Sequence, residues 1–173
     1  QDMTFSQALD WTAGTKVTYH VKDWFSVTGS LHADFYDRFK RHERIDKRQK
    51  DYESSIYQPR LTVTSNYFNG HSLILGMEHT SDELTSDRFS GNANHDLKTR
   101  ALKETEYFLQ DEWTINPRWM ISAGIRTNFS KAFGFMGMPK VAAKYSPDKH
   151  WSLRANYSMG YRSPSIKELF FNW

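Results

Sequence analysis

Polar and apolar residues alternate along most of this chain with a period of two. The clearest run is Phe25 to Tyr36, where Phe25, Val27, Gly29, Leu31, Ala33 and Phe35 alternate with Ser26, Thr28, Ser30, His32, Asp34 and Tyr36. That run defines a strand with one apolar and one polar side, a pattern no helix of 3.6-residue period gives. A second run places Trp151, Leu153, Ala155, Tyr157, Met159 and Tyr161 on one face, against Ser152, Arg154, Asn156, Ser158 and Gly160 on the other. The same reading predicts about nine strands: near Met3–Asp10, Lys16–Val21, Phe25–Tyr36, Tyr57–Phe68, His71–His79, Glu104–Ile115, Trp119–Phe129, Pro139–Tyr145 and from Trp151. Beyond the last strand Ser163 and Pro164 break the alternation, and Ser165 with Glu168 three residues on predicts a short capped helix over Ser165–Leu169.

The connections alternate in length. Short turns are predicted at Val21–Trp24, Asn69-Gly70, Asn116–Arg118 and Ser146–His150, and longer segments at Asp37–Ile56, Thr80–Lys103 and Ser130–Met138. Asn69-Gly70 is a strong hairpin signal, because both residues tolerate positive φ. If strands alternate in direction, the short turns gather at one edge and the long loops at the other, as in an outer-membrane barrel. Trp24, Trp119 and Trp151 each follow a short turn and Trp113 precedes one, so these tryptophans share one level. Such a level suits an amphipathic girdle at a membrane interface, whereas a soluble sandwich would bury tryptophans mid-strand. The polar positions His32, Asp34, Arg126, Lys140, Lys144, Arg154 and Asn156 oppose the apolar face and read as lumen-facing. A wet or plugged lumen accepts them and lipid does not, although a one-sided soluble sheet would also accept them.

Composition narrows the function. Apolar residues make up 38% of the chain and aromatics 16%, so hydrophobicity is concentrated in large rings. There is no cysteine, which excludes a disulfide framework and thiolate metal sites. The net charge of +3 is carried mainly by Arg38–Lys50, so nucleic-acid binding has no general support. No window is apolar enough for a spanning helix, but a barrel strand crosses in about 9 to 11 tilted residues and shows only alternation. A chain opening at Gln1 without a signal peptide is expected to be a mature protein or a fragment. No nucleophile with a neighbouring base, phosphate-cradling glycine loop or HExxH helix is visible, so an enzyme is not expected.

Candidate ligand contacts come from the histidines. His42 and His95 fall in predicted long loops and His79 near the outer end of a strand, so these three could meet a ligand from outside. Tyr161 and Arg162, beyond the last strand, complete that set. His20, His71 and His150 stand beside short turns, away from it. The Arg38–Lys50 run reads as a solvated loop, with contact to anionic head groups or an anionic iron chelate as its functional alternative. Asn92, Asn94 and Asp96 offer oxygens for calcium but lack EF-hand spacing, so a polar loop and no metal site are expected there.

Several segments resemble the barrel of TonB-dependent outer-membrane receptors. They are Tyr107–Phe129 (YFLQDEWTINPRWMISAGIRTNF), Pro139–Phe170 (PKVAAKYSPDKHWSLRANYSMGYRSPSIKELF) and the hairpin around Asn69. The likeness is carried by Gln110, Asp111, Glu112 and Trp113, then Gly124 and Arg126, then Pro139 and Lys140. Leu153, Arg154, Ala155, Tyr157, Gly160, Tyr161, Arg162, Pro164, Ser165, Glu168 and Leu169 follow in order. The resemblance implies an all-β fold: an antiparallel transmembrane β-barrel segment of about nine strands, part of a barrel of about 22 strands in the bacterial outer membrane. It further implies a receptor for energy-coupled uptake of a scarce small molecule, such as an iron siderophore, haem or cobalamin, with no resident cofactor. The implied partners are outer-membrane lipid and lipopolysaccharide, and the TonB energy-coupling protein acting through a plug domain; nucleic acid is not among them. Residues 1–173 are expected to be a partial barrel without plug, signal peptide or remaining strands. Tyr161-Arg162-Ser163-Pro164 is similar to an Arg-x-Pro box of haem receptors that the wider family shares. Two other architectures fit the pattern: a complete small barrel of about eight strands with a structural or adhesive role, and a soluble β-sandwich binding module.

Overall fold

The computed structural model describes residues 4–42, 47–89 and 96–171. Its strands are β1 (Thr4–Lys22), β2 (Phe25–His42), β3 (Lys47–Ser65), β4 (His71–Ser86), β5 (Lys98–Asn116), β6 (Trp119–Ser130), β7 (Gly134–Tyr145) and β8 (Leu153–Ser158). They form one 8-stranded sheet in chain order, every neighbouring pair antiparallel. A helix, α1 (Ile166–Phe170), follows β8.

Eight strands rather than nine result because the first two predicted segments are one. The Trp11–Thr15 stretch alternates poorly, yet it is held in the ladder opposite Phe35–Leu31, so β1 runs unbroken. The predicted long loops are corrected in the same direction. Strands β2 and β3 continue to His42 and from Lys47, β4 and β5 reach Ser86 and Lys98, and only residues 131–133 separate β6 from β7. Pairing persists there although the hydrophobic alternation has ended. The Asn69-Gly70 hairpin is a longer turn, residues 66–70, in which Gly70 does take φ +77°. Tyr67 and Phe68 leave the ladder and turn to the surface, Tyr67 against the Trp24 ring at 4.8 Å.

The registers pair even with even and odd with odd positions across the sheet, except at the turn rungs Lys22/Phe25 and Asn116/Trp119 and beyond the Arg38/Phe39 bulge, where Phe39–His42 pair with Lys50–Lys47 in opposite parity. One face therefore carries the odd residues, among them Trp11, Leu31, Leu75, Leu109, Ile125, Val141 and Tyr157. The other carries the even ones, among them Asp34, Arg60, Glu78, Glu106, Arg126 and Arg154. The even face is concave: Arg60 of β3 lines one cavity with Ser158 and Tyr161 at the far end of the sheet. Consistently, α1 lies across that face, with the Lys167 Nζ 4.9 Å from the Tyr52 ring and Phe170 beside Arg100. Apolar side chains on the convex face are exposed, Leu75 at 51% and Val141 at 51%, which water would penalise and lipid would not.

Two rows of aromatics bound that apolar band. At the short-turn end stand Trp24, Tyr67, Trp113, Trp119, Tyr145 and Trp151; Trp119 lies 4.4 Å from the Tyr145 ring, and Trp113 stacks on His71. About ten residues further along stand Trp11, Phe35 and Tyr57, with Trp11 on Phe35 at 4.2 Å and Phe35 against Tyr57 at 5.2 Å. Phe129, paired with Phe135, continues this second row. A span of about 9 to 11 tilted residues is what a bilayer core requires, and girdles at both interfaces are the mark of a transmembrane barrel. Strands of 18 and 19 residues exceed that span, so the outer ends of β2–β5 project beyond it.

Candidate functional site

The concave face carries two clusters, one inside the apolar band and one at its outer end. In the inner cluster Phe108 of β5 lies over Gly76 of β4. A Cβ at position 76 would meet the Phe108 ring at 2.3 Å and the Leu61 carbonyl oxygen at 2.6 Å, so only glycine admits the ring. The gap lets Arg60 of β3 reach across β4 to stand 4.7 Å from the Phe108 centroid, while Arg126 of β6 stands at 5.9 Å. Glu78 and Glu106 oppose each other across β4 and β5. Each is met by one of those arginines, Arg60 to Glu78 at 3.5 Å and Arg126 to Glu106 at 3.3 Å. Lys140 donates to Gln110 beside them. Arg60, Phe108, Gln110, Arg126 and Lys140, with Met138 and Tyr161, line a cavity of about 520 Å³. Its chemistry is that of a polar wall with an aromatic floor, able to hold a charged or hydrogen-bonding surface against it.

The outer cluster is built by a bulge. Arg38 pairs with Tyr52 and Phe39 with Lys50, leaving Asp51 as the extra residue of β3. The bulge turns the Asp51 side chain to the concave side and Lys50 to the convex one, as bulges re-aim side chains. Asp51 is buried and accepts from Arg38 Nε at 3.2 Å and Nη2 at 2.8 Å, with Lys40 Nζ at 3.0 Å. Burial pushes its carboxyl up, but the hydrogen bonds from Arg38 and Lys40 outweigh this and hold it below the usual carboxylate value. On the other side Lys50 meets Asp37 and Glu53, both at 2.8 Å. Three cations of the basic run are therefore matched by carboxylates on paired strands rather than displayed in a solvated loop.

Next to Asp51, Tyr52, Leu84, Phe89 and Ile166 form a buried apolar cluster, with Tyr36, Leu102, Phe170 and Phe171 around it. It anchors α1 to β3–β5. Ser165 caps the helix as expected: its Oγ accepts from the Glu168 amide at 3.3 Å, and the Glu168 carboxylate accepts from the Ser165 amide at 2.8 Å. The Ser165 amide, the Ser165 hydroxyl at 3.0 Å and Arg162 at 2.8 Å all donate to the Glu168 carboxylate and hold it below its usual value. Asp82 is pushed up by burial, and the Lys167 charge opposes the shift.

The sequence-predicted residues separate cleanly. His32, Asp34, Arg126, Lys140, Lys144, Arg154 and Asn156 all stand on the concave face; Asp34 accepts from Thr12 at 2.7 Å, and Lys144 and Arg154 are paired across β7 and β8. Trp24, Trp113, Trp119 and Trp151 share the short-turn rim. Tyr161 joins the inner cavity, whereas Arg162 is engaged with Glu168. His79 is in a strand, as expected, but at its middle rather than its outer end, because β4 runs on to Ser86. It lies in β4 on the convex face in register with Thr105, whose Oγ1 is 2.9 Å from its Nδ1. His42 ends β2 with its side chain outside the described residues, and His95, with Asn92 and Asn94, lies outside them altogether. Sequence reasoning missed Arg60, Glu78, Glu106 and Phe108. Their signal was present in the even positions of β3, β4 and β5, and the pairing of those strands was needed to bring them together.

Three comparisons bear on this geometry. A model of the "TonB dependent receptor-like, beta-barrel" family matches residues 1–173. The iron-regulated outer membrane virulence protein of Vibrio cholerae, in two serotype O1 strains, is 24% identical over 160 residues; the match covers 89% of this chain and 22% of those proteins. The chain thus spans about a fifth of the length of these relatives. The crystal structure of the siderophore receptor PirA from Pseudomonas aeruginosa superposes with a TM-score of 0.60 at 12% identity, over 92% of this chain and 36% of that one.

Proposed function

The chain belongs to the TonB-dependent receptor β-barrel family, and from that premise we propose that it forms part of the wall of a receptor importing an iron chelate across the outer membrane. Family membership puts the barrel segment in the bacterial outer membrane, which leaves the complete small barrel and the soluble sandwich without support. The iron chelate is favoured over haem or cobalamin by the names of the relatives, one iron-regulated and one a siderophore receptor. In this reading the eight strands close with others into a barrel of about 22, a plug domain fills its lumen, and TonB supplies energy through the plug.

The observation that carries the proposal is the concave wall of Arg60, Glu78, Phe108, Glu106, Arg126 and Lys140 inside an apolar band with aromatics at both edges. Such a wall is costly in water-free surroundings and useful only where a polar body moves or docks against it. Tyr161 is the outer-ligand candidate that shares this cavity, and Arg162, His42, His79 and His95 remain secondary candidates. The test is uptake by cells grown under iron limitation, with the gene for the full receptor deleted and restored. Loss of radiolabelled ferric-siderophore uptake, restored by the intact gene, is expected. Unchanged iron uptake with loss of haem or cobalamin uptake would replace the chelate by that ligand.

A further inference from the structure

We propose that the short-turn end of the concave face carries an exit-side subsite for an anionic iron chelate, held by Arg118, Lys144, Lys149 and Arg154. Lys144 and Arg154 are paired across β7 and β8 at even positions, so both stand on the lumen side. Arg118 and Lys149 belong to the β5–β6 and β7–β8 turns beside them. The four line a cavity of about 530 Å³, and Lys144 and Arg154 also line an adjoining one of about 400 Å³ with Ser122 and Asn156. Cavities of that size take a small molecule rather than a folded partner.

Hydrogen bonds to the backbone fix the frame. The Ser146 amide donates to the Arg118 carbonyl at 2.8 Å, which ties the two turns together. Asn116 Oδ1 accepts from the Arg118 amide at 2.9 Å and Asp148 Oδ1 from the His150 amide at 2.7 Å, which holds each turn in shape. None of the four cations makes an ion pair among the described residues. Two carboxylates line the cavities, Glu112 and Asp148; Asp148 also accepts from the Trp151 amide, and His150 Nδ1 lies 3.7 Å from it. Four cations against two carboxylates leave an excess of positive charge in a concave wall, where field lines concentrate and anions gather. The cavity above differs, because Arg60 and Arg126 are each matched there by a glutamate. Lys140 links the two levels: it lines the upper cavity and stands four residues before Lys144 on β7, about 13 Å along the strand. A chelate with carboxylate or phenolate oxygens thus meets successive charge-assisted contacts between the upper cavity and the rim.

The subsite rests on the import reading and adds to it the sign of the cargo's charge and the part of the wall by which it leaves. Its test uses the full receptor in detergent with a trifluoromethyl label on Ser152→Cys, a position lining the same cavity. Ferric citrate or a neutral ferric trihydroxamate is titrated in, and fluorine NMR reads the broadening caused by the iron. Saturable broadening by ferric citrate alone is expected. It should weaken about tenfold in K144Q with R154Q, where two cations are lost from a partly wet wall, and persist in K144R with R154K. Equal broadening by both chelates, or an unchanged titration in the glutamine variant, would overturn the subsite. A label that ferric citrate does not reach, because carboxylates of a plug already hold the cations, would overturn it as well. In cells, the glutamine variant is expected to keep wild-type affinity for radiolabelled ferric siderophore at the outer face and to lose about fivefold in maximal uptake rate. An unchanged maximal rate counts against the subsite. Failure of the import reading looks different, since the wild-type receptor itself then takes up no ferric siderophore.

Discussion

Asp51 shows how one extra residue decides where charge goes. The run Arg38–Lys50 looks like a cationic loop in the sequence, yet the bulge beside it gives Arg38 and Lys40 a buried carboxylate and sends Lys50 to Asp37 and Glu53. Asp51→Asn leaves two cations facing an amide, and it is expected to destabilise the outer ends of β2 and β3 by about 2 kcal/mol. That is less than for a fully buried pair, because Arg38 and Lys40 keep some contact with water. The pH sign follows from the depressed carboxyl. Its contribution is complete above the ordinary aspartate value near 4 and is lost as pH falls through the lower folded value. Protection factors at Tyr52 and its neighbours, taken relative to the slower intrinsic exchange in acid, should therefore fall in acid in the native protein, and the Asn variant should lack that acid step. Gly76 is a second single-residue determinant. Gly76→Ala must displace both the Phe108 ring and the Leu61 carbonyl, and a loss of about 1 to 3 kcal/mol in thermal unfolding is expected. Neither role is legible in sequence, since both depend on which strand lies alongside. A subtler signal was legible and overlooked. Asn116 and Asp148 each stand three residues before a tryptophan and accept from its amide, at 3.0 Å and 3.1 Å, which plants Trp119 and Trp151 at the same rim.

Elements were legible where one side faced lipid and the other did not. Strands β4 to β6 were read almost to their inner ends, because alternation of apolar and polar residues is obligatory inside the band. Past the outer aromatic row both faces are polar, as with Asp37, Glu53, Ser81 and Glu83, so the period vanishes while the ladder continues. The helix was the opposite case: Ser165 and Glu168 announced it, but nothing in the sequence told that it would dock on strands three to five places away in the sheet. Its anchoring by Ile166 against Tyr52, Leu84 and Phe89 makes docking and helix formation separable. Ser165→Ala is expected to cost about 1 kcal/mol of helix stability with docking retained. Ile166→Asp is expected to release the segment, because an unpaired carboxylate would be placed in an apolar site. Hydrogen exchange distinguishes them: the first variant loses protection in 166–171 alone, and the second also exposes 84–89.

At the scale of the molecule, even and odd positions have different solvents. The convex band of Leu31, Leu75, Leu109, Ile125, Val141 and Leu153 would be unprotected in water, and the concave wall of Arg60, Glu78, Glu106 and Arg126 would be intolerable in lipid. A single inversion of the sheet would reverse both, so the two faces must be assigned together. Alternation along Trp151–Tyr161 was enough to see that the faces differ, and the registers extend the distinction over all eight strands through a simple parity. The parity makes the strongest prediction. Single cysteines at Leu75, Ile125 and Leu153 in the full receptor should quench with brominated or spin-labelled lipid and resist a membrane-impermeant maleimide. Cysteines at the neighbouring even positions, Ile74, Arg126 and Arg154, should escape lipid quenching. Equal lipid exposure of Leu153 and Arg154 would overturn the orientation of β8, and equal exposure within all three pairs would remove the barrel wall itself.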